Sequence, residues 1–319
     1  MATRTRPLSL VARVVDDLRT DGSGWVLLTV SFGWFLTLGV RIVYPTLLPQ
    51  VTTEFGVGNA TAGLFIGGLW TTYALLQFPG GALADAVGER LVLAGSLLLS
   101  TLGVGAIFLS TGLPTFVAAT VVLGLSTGLY GTTRITVISA TYDRMEATAI
   151  GVSQAAGNVG NVVLTATAGA VAAWVGWRWG FGYLVPLLLL CGAGLWLTVP
   201  RRASPTTGDE SFPETMRRVL AVVRRPRVLA VFALLSLNMF LYQSVTGFLP
   251  TYLVEQKGLT PGAAATLYSA FFAAAIAVQF LSGAVADRRG NRVAIAAFVG
   301  ASVPVFVLLT VVKGVVAVA

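Results

Sequence analysis

Residues 77–90 read QFPGGALADAVGER, and residues 279–292 read QFLSGAVADRRGNR. Shifting the chain by 202 positions brings Gln77, Phe78, Gly81, Ala82, Ala84, Asp85, Gly88 and Arg90 onto Gln279, Phe280, Gly283, Ala284, Ala286, Asp287, Gly290 and Arg292. Upstream, Gly56 falls on Gly258, and Pro49 meets Pro250 after a one-residue slip. A charged phrase written twice in an otherwise apolar chain marks a duplicated unit. Its two copies share one orientation, because each phrase follows the second apolar run of its half and precedes the third.

The surroundings of the phrase set the class. Of 319 residues, 55% are hydrophobic and 11% charged, against roughly 25% charged in soluble domains. Apolar runs of about 20 residues recur, long enough to cross a bilayer as helices. They are continuous rather than alternating, so the spans are α-helical. An all-α polytopic membrane protein is expected, with spans near 25–49, 61–83, 91–110, 113–140, 148–175, 179–199, 228–254, 261–285 and 293–312. The organisation that follows is a tail (1–24), a six-helix bundle (25–199), a linker (200–227) and a partial second bundle (228–319). That last unit holds three helices and the start of a fourth. Two parallel halves of six spans each describe one large transporter architecture, so the second half is expected to stop as its fourth helix begins.

Charge gives orientation. The tail and the even-numbered loops hold sixteen of the 21 Lys and Arg, whereas the opposite side holds Arg178, Lys257 and Lys313. Basic loops stay cytoplasmic, so a cytoplasmic N-terminus and a multi-pass plasma-membrane location are expected. The net charge of +8 is thereby a matter of topology, and nucleic acid is not an expected partner. The linker opens with the turn-rich RRASPTTGDES and continues as PETMRRVLAVVRR, a short amphipathic helix. It either spaces the halves or lies on the anionic inner leaflet. No cleavable signal peptide is expected at the polar N-terminus. The chain has no His and one Cys, Cys191, which excludes a disulfide framework and a His/Cys metal site within it. No metal, cofactor or catalytic residue is expected. There is no P-loop and no GxSxG, and an enzyme is not expected. Small-residue pairs such as Gly63 with Gly67 and Gly124 with Gly128 suit helix packing.

The repeated phrase resembles the signature G-x-L-A-D-R-x-G-R-R/K of the major facilitator superfamily. Gly81, Leu83, Ala84, Asp85, Gly88 and Arg90 fit it in the first half, with Ala86 and Glu89 departing. Gly283, Ala286, Asp287, Arg288, Gly290 and Arg292 fit it in the second, with Val285 and Asn291 departing. The resemblance covers span order, central loop and duplication. It implies a secondary carrier working by alternating access, monomeric, with a small solute and the lipid bilayer as its partners. It also implies a cavity lined by the first and fourth helices of each half, and a cytoplasmic latch at the phrase. On the residues alone, Asp85 can pair with Arg90 or cap a neighbouring helix, or the loop is a tight turn with a surface ion pair of little weight.

An ionisable residue within a span is a site candidate, and Arg41 and Arg134 are two. Arg41 lies eight residues before Pro49, about 12 Å of helix, with Trp34 and Tyr44 roughly on its face. It either snorkels or pairs with Glu54, or binds an anion in a cavity. Arg134 shares a face with Thr127 and Tyr130, and either pairs with Asp85 or Asp143, snorkels, or faces the cavity. The two are expected at different depths, so they need not grip one ligand together. Gln154, Asn158 and Asn161 form a polar stripe, for bonding between helices or to a ligand. Asn238, Tyr242 and Gln243 are candidates on the seventh span, with Gly247 and Pro250 as flexing points.

Residues 128–162 also resemble the organophosphate and organic-anion branch of that superfamily, which pairs an Arg of helix one with a basic residue of helix seven. Arg41 matches, but the repeat sets Tyr242 opposite it, so a monoanion or polar neutral solute is expected before a dianionic phosphate ester. The alternatives are a drug or metabolite exporter with an apolar cavity, and a non-transporting fragment or sensor.

Overall fold

The structure is a computed structural model and describes residues 24–201 and 225–289, with Val293 and Gly300. Within these residues the chain is helical throughout. The helices are α1 (Gly24–Phe55), α2 (Asn59–Val87), α3 (Glu89–Phe108), α4 (Leu113–Ser139), α5 (Glu146–Val175), α6 (Trp177–Gly182), α7 (Leu184–Thr198), α8 (Pro226–Glu255) and α9 (Pro261–Arg289). Pro114 and Pro226 sit in first turns, where no amide hydrogen is needed. Pro45, Pro49, Pro79 and Pro250 lie inside helices, as spanning helices tolerate when neighbours satisfy the freed carbonyls.

The repeat is visible in the backbone. α2 and α9 are each 29 residues long and start 202 positions apart. The turns before them carry Gly56 at φ 62° and Gly258 at φ 68°, a left-handed geometry that disfavours any side chain. Gly88, at φ 92°, closes α2 and opens α3 by itself. The glycine of the repeated phrase is thus a one-residue corner.

Among the described residues, five segments are long and apolar enough to cross a membrane: α1, α3, α4, α5 and the pair α6–α7. In α9 the apolar stretch is Pro261–Ile276. The expected sixth span is divided at Tyr183, and the first runs on to Phe55. Most of the expected ninth span and of the linker lies outside the described residues.

Close crossings set the packing. At α1–α5, a Cβ on Gly39 would lie 2.9 Å from the Gly160 carbonyl oxygen, and one on Gly160 would strike the Phe35 carbonyl. At α2–α4, Gly124 meets Leu69 and Thr72, and Gly128 meets the Tyr73 carbonyl. The Gly124–Gly128 pair serves packing as its spacing suggests. Gly63 and Gly67 do not act as such a pair: Gly63 faces Phe248 at 3.3 Å, and Gly67 has nothing within 4 Å. Ser96 and Ser100 of α3 donate to the carbonyl and the hydroxyl of Ser126 on α4, at 2.7 and 2.8 Å.

Among the described residues, the two halves meet at the end of the bundle carrying the Gly56 and Gly258 turns. Asn59 Nδ2 donates to Glu255 Oε2 at 2.8 Å. Ser269 Oγ donates to the Val162 carbonyl at 2.6 Å. Gly169 touches Ala265, where a Cβ would overlap. Deeper in, Ile42, Tyr268 and Phe272 form a buried cluster flanked by Trp70, Val162 and Leu249. All of these residues belong to the Gly56-end portions of their helices.

Candidate functional site

Arg41 is buried to 1% exposure in the middle of α1. Its guanidinium carbon lies 3.9 Å from the centre of the Tyr73 ring, 5.1 Å from Trp70 and 5.4 Å from Trp34. Its Nε donates to the Thr37 carbonyl at 3.3 Å, and its Nη2 is buried with no partner. A mid-bilayer arginine costs about 3 kcal/mol on insertion scales, and a desolvated aromatic face returns about 2 kcal/mol. Three faces can therefore hold this cation without an acid. The expected alternative of a pair with Glu54 is not formed. Glu54 instead accepts from Arg178 at 2.6 Å and from the Trp177 indole, because Arg178 is carried there by the turn before α6.

Arg134 is 4% exposed on α4, and its guanidinium carbon lies 4.0 Å from the centre of the Trp34 ring. It donates to Ser153 Oγ at 3.1 Å and to Gln154 Oε1 at 3.3 Å, while its Nε is buried without a partner. The expected pairing with Asp85 or Asp143 is not formed, since the side chain turns toward α5. Both arginines therefore lie over one indole. They were expected at different depths with no shared ligand; here Trp34 touches both and brings them to a common place. Trp34 is 6% exposed and its own Nε1 has no partner. It fits because Gly157 leaves room: a Cβ there would collide with the indole.

The other candidates separate. Tyr130 stacks on Trp34 at 6.4 Å, and its hydroxyl donates to the Val30 carbonyl at 2.8 Å, so it ties α4 to α1. Tyr44 is not with the arginines. It bonds Thr120 at 2.8 Å and packs on Phe116 and Phe181, because three residues past Arg41 the helix has turned toward α4 and α6. On α5, Gln154 is exposed, Asn158 is half-buried, and Asn161 is buried with its Oδ1 unpartnered. Tyr242 is 44% exposed on α8, and Gln243 accepts from Thr246 at 3.2 Å. Asn238 lies on α8, and its side chain is outside the described set. Trp70, Tyr73 and Ser153 complete the site and were not singled out from sequence. The signal was slight: an aromatic pair three residues apart on α2, of which Tyr73 meets Gly128 and Gly131 of α4.

At the repeated phrase, Asp85 is exposed and has no ion pair or hydrogen bond among the described residues. The expected Asp85–Arg90 pair is absent, because the Gly88 corner swings Arg90 onto Trp196, 4.4 Å from its ring centre. Gly81 has open space around it, whereas Gly80 packs 3.3 Å from Leu129. Gly283, Asp287 and Arg288 lie in the last turns of α9, where side chains are outside the described set. Gly290 and Arg292 are outside it altogether.

Comparison with known proteins agrees with this architecture. The sequence profile of the family described as Major Facilitator Superfamily matches residues 29–319. A hexuronate transporter of Bacillus subtilis is 23% identical over 221 residues, covering 66% of this chain and 52% of its own length. Multidrug resistance protein MdtM of Salmonella typhimurium is 24% identical over 259 residues, 80% of this chain and 61% of that protein. The chain thus spans about half to three-fifths of the length of these relatives. A bacterial homologue of the human lysosomal transporter Spinster, solved inward-facing and unoccupied, superposes with a TM-score of 0.73 at 17% identity, over 93% of this chain and 71% of that one.

Proposed function

The chain belongs to the Major Facilitator Superfamily, and we propose that it serves a secondary transporter that moves a small organic anion across the plasma membrane by alternating access. The observation that carries this is the pair of buried guanidiniums over Trp34, with no carboxylate bonded to either among the described residues. Three buried donors around them lack partners: Arg41 Nη2, Arg134 Nε and Trp34 Nε1. A carboxylate would satisfy two or three of these at once, through charge-assisted hydrogen bonds. Asn161 Oδ1 is a buried acceptor suited to a hydroxyl on the same solute. A hydroxylated monoacid fits this donor set, and the relative named a hexuronate transporter makes sugar acids the first compounds to try.

The contacts between halves support alternating access. They seal the Gly56 end, and Trp70 belongs both to the flank of that seal and to the cage of Arg41. Parting the halves at this end would therefore disturb the cage, so gate and site are linked through one indole. With the N-terminus cytoplasmic, as the basic loops suggest, the sealed end is extracellular and the state is inward-facing. Asp85, exposed and without an ion pair among the described residues, would then meet the other half in the outward-facing state, where the repeated phrase would act as a latch. The carrier is proposed to act as a monomer.

Uptake by proteoliposomes of a panel of small anions, including glucuronate and galacturonate, tests the reading. At least one should be transported, and Arg41→Gln and Arg134→Gln should each abolish or strongly slow it. Transport of apolar cations with no anion accepted would instead favour a multidrug exporter, for which the aromatic lining is the supporting feature.

A further inference from the structure

Along α5 the polar strip of Gln154, Asn158 and Asn161 grows more buried toward the sealed end: exposed, then half-buried, then 6% exposed. Resting on the anion reading above, we infer that Asn161 is the specificity-determining residue of that site. It selects monoacids with a hydroxyl oxygen about three to five carbons away from a carboxylate oxygen.

Helical position aims this strip inward. α5 meets α1 along Gly157, Gly160 and Leu164, and meets α9 along Val162, Gly169 and Ala173. At 100° per residue, Asn161 falls between these two edges. It shares that side with Gln154, which accepts from Arg134 at 3.3 Å. The next residue, Val162, belongs to the seal, its carbonyl accepting from Ser269. Asn161 thus stands at the closed end of the strip, with its Oδ1 buried and unpartnered. Thr165, one turn further on, donates its hydroxyl to the Asn161 carbonyl, so that hydrogen is already used.

A buried acceptor without a partner calls for a donor on the solute. Between Glu146 and Thr165 the helix carries no carboxylate that would favour a cationic group, and the two guanidiniums would repel an ammonium. A hydroxyl is the donor that remains. Its place on the solute follows from the helix. Gln154 and Asn161 are seven residues apart, about 10 Å of rise. A hydrogen bond of about 2.8 Å at each end, along the axis or oblique to it, leaves about 5–8 Å between the carboxylate and hydroxyl oxygens. About three to five carbons span that gap at ordinary bond lengths.

The test is equilibrium binding, to the purified full chain, of two pairs of acids in which a methyl replaces the hydroxyl. One pair is 4-hydroxybutanoate and pentanoate; the other is 2-hydroxypropanoate and 2-methylpropanoate. Wild type should bind 4-hydroxybutanoate about tenfold tighter than pentanoate, the worth of one hydrogen bond. It should not distinguish the second pair, whose hydroxyl lies too near the carboxylate to reach Asn161. Asn161→Leu should remove the preference within the first pair, whereas Arg41→Gln should weaken both of its members and keep their ratio. Should Asn161→Leu fail to fold, the wild-type ratios decide. Equal binding within the first pair, an equal preference in both pairs, or a preference that survives in Asn161→Leu overturns this inference and leaves the anion reading in place. Binding of none of the acids overturns both.

Discussion

The guanidinium of Arg134 lies over the indole of Trp34 at 4.0 Å, and that same indole lies 5.4 Å from the guanidinium of Arg41. Two cations from helices far apart in sequence thus share one aromatic side chain. The same ring thus covers both, and Arg134 reaches from it to Ser153 and Gln154 of α5. Removing it should do more than open a hole.

Trp34→Ala should therefore destabilise the bundle by about 3–5 kcal/mol from lost packing alone, with the uncovered arginines adding to it. Trp34→Phe keeps a face for both cations and should be milder. Thermal unfolding in detergent, followed by loss of the monodisperse peak on size exclusion, would rank them wild type, Phe, Ala. Equal melting for Phe and Ala would count against the shared-ring account.

Crossing glycines should be intolerant in proportion to what they touch. Gly160→Val drives a side chain into the Phe35 backbone, and Gly128→Val into that of Tyr73. Both should fail to yield folded protein. Gly67→Val, at a position with open space, should express as wild type. Gly88→Ala must adopt φ 92° with ψ 139°, and the strain of about 1–3 kcal/mol should lower the melting point without unfolding the chain.

The seal between halves predicts a labelling change. In a Cys191→Ala background, Ser269→Cys sits under the seal, 6% exposed. Adding Gly169→Leu, which overlaps Ala265, should prop the Gly56 end open and speed reaction of that cysteine with a water-soluble maleimide by about tenfold or more. An unchanged rate would show that these contacts do not close the path.

Much of the fold was legible because its signals are long-range and redundant. Apolar length gave the helices, and the echo of residues 77–90 at 279–292 gave the halves. The structure returns that echo as the matching turns at Gly56 and Gly258. Arg41 and Arg134 stood out because charge is rare in spans. Their meeting did not, since it depends on how α1 crosses α4 and α5, and spacing along one helix cannot report a crossing. Trp70 and Tyr73 were hidden for a related reason, as aromatic residues in apolar helices carry no mark of the cation they cover. Tyr44 was placed with Arg41 by helical spacing, yet a few tens of degrees of rotation sent it into the Phe116 cluster. Asp85 and Arg90 looked like a pair because they are near in sequence, but the Gly88 corner separates them.

The measurement that bears most directly on the anion site is equilibrium binding of the best-transported anion to purified wild type, Arg41→Gln, Arg134→Gln and the double variant. Each single change should weaken binding about 10- to 100-fold, the worth of a hydrogen bond to a charged group. The double variant should lose less than the product of the two, because the arginines act on one ligand. Binding that is unchanged in both single variants would contradict the assignment of Arg41 and Arg134 to the substrate.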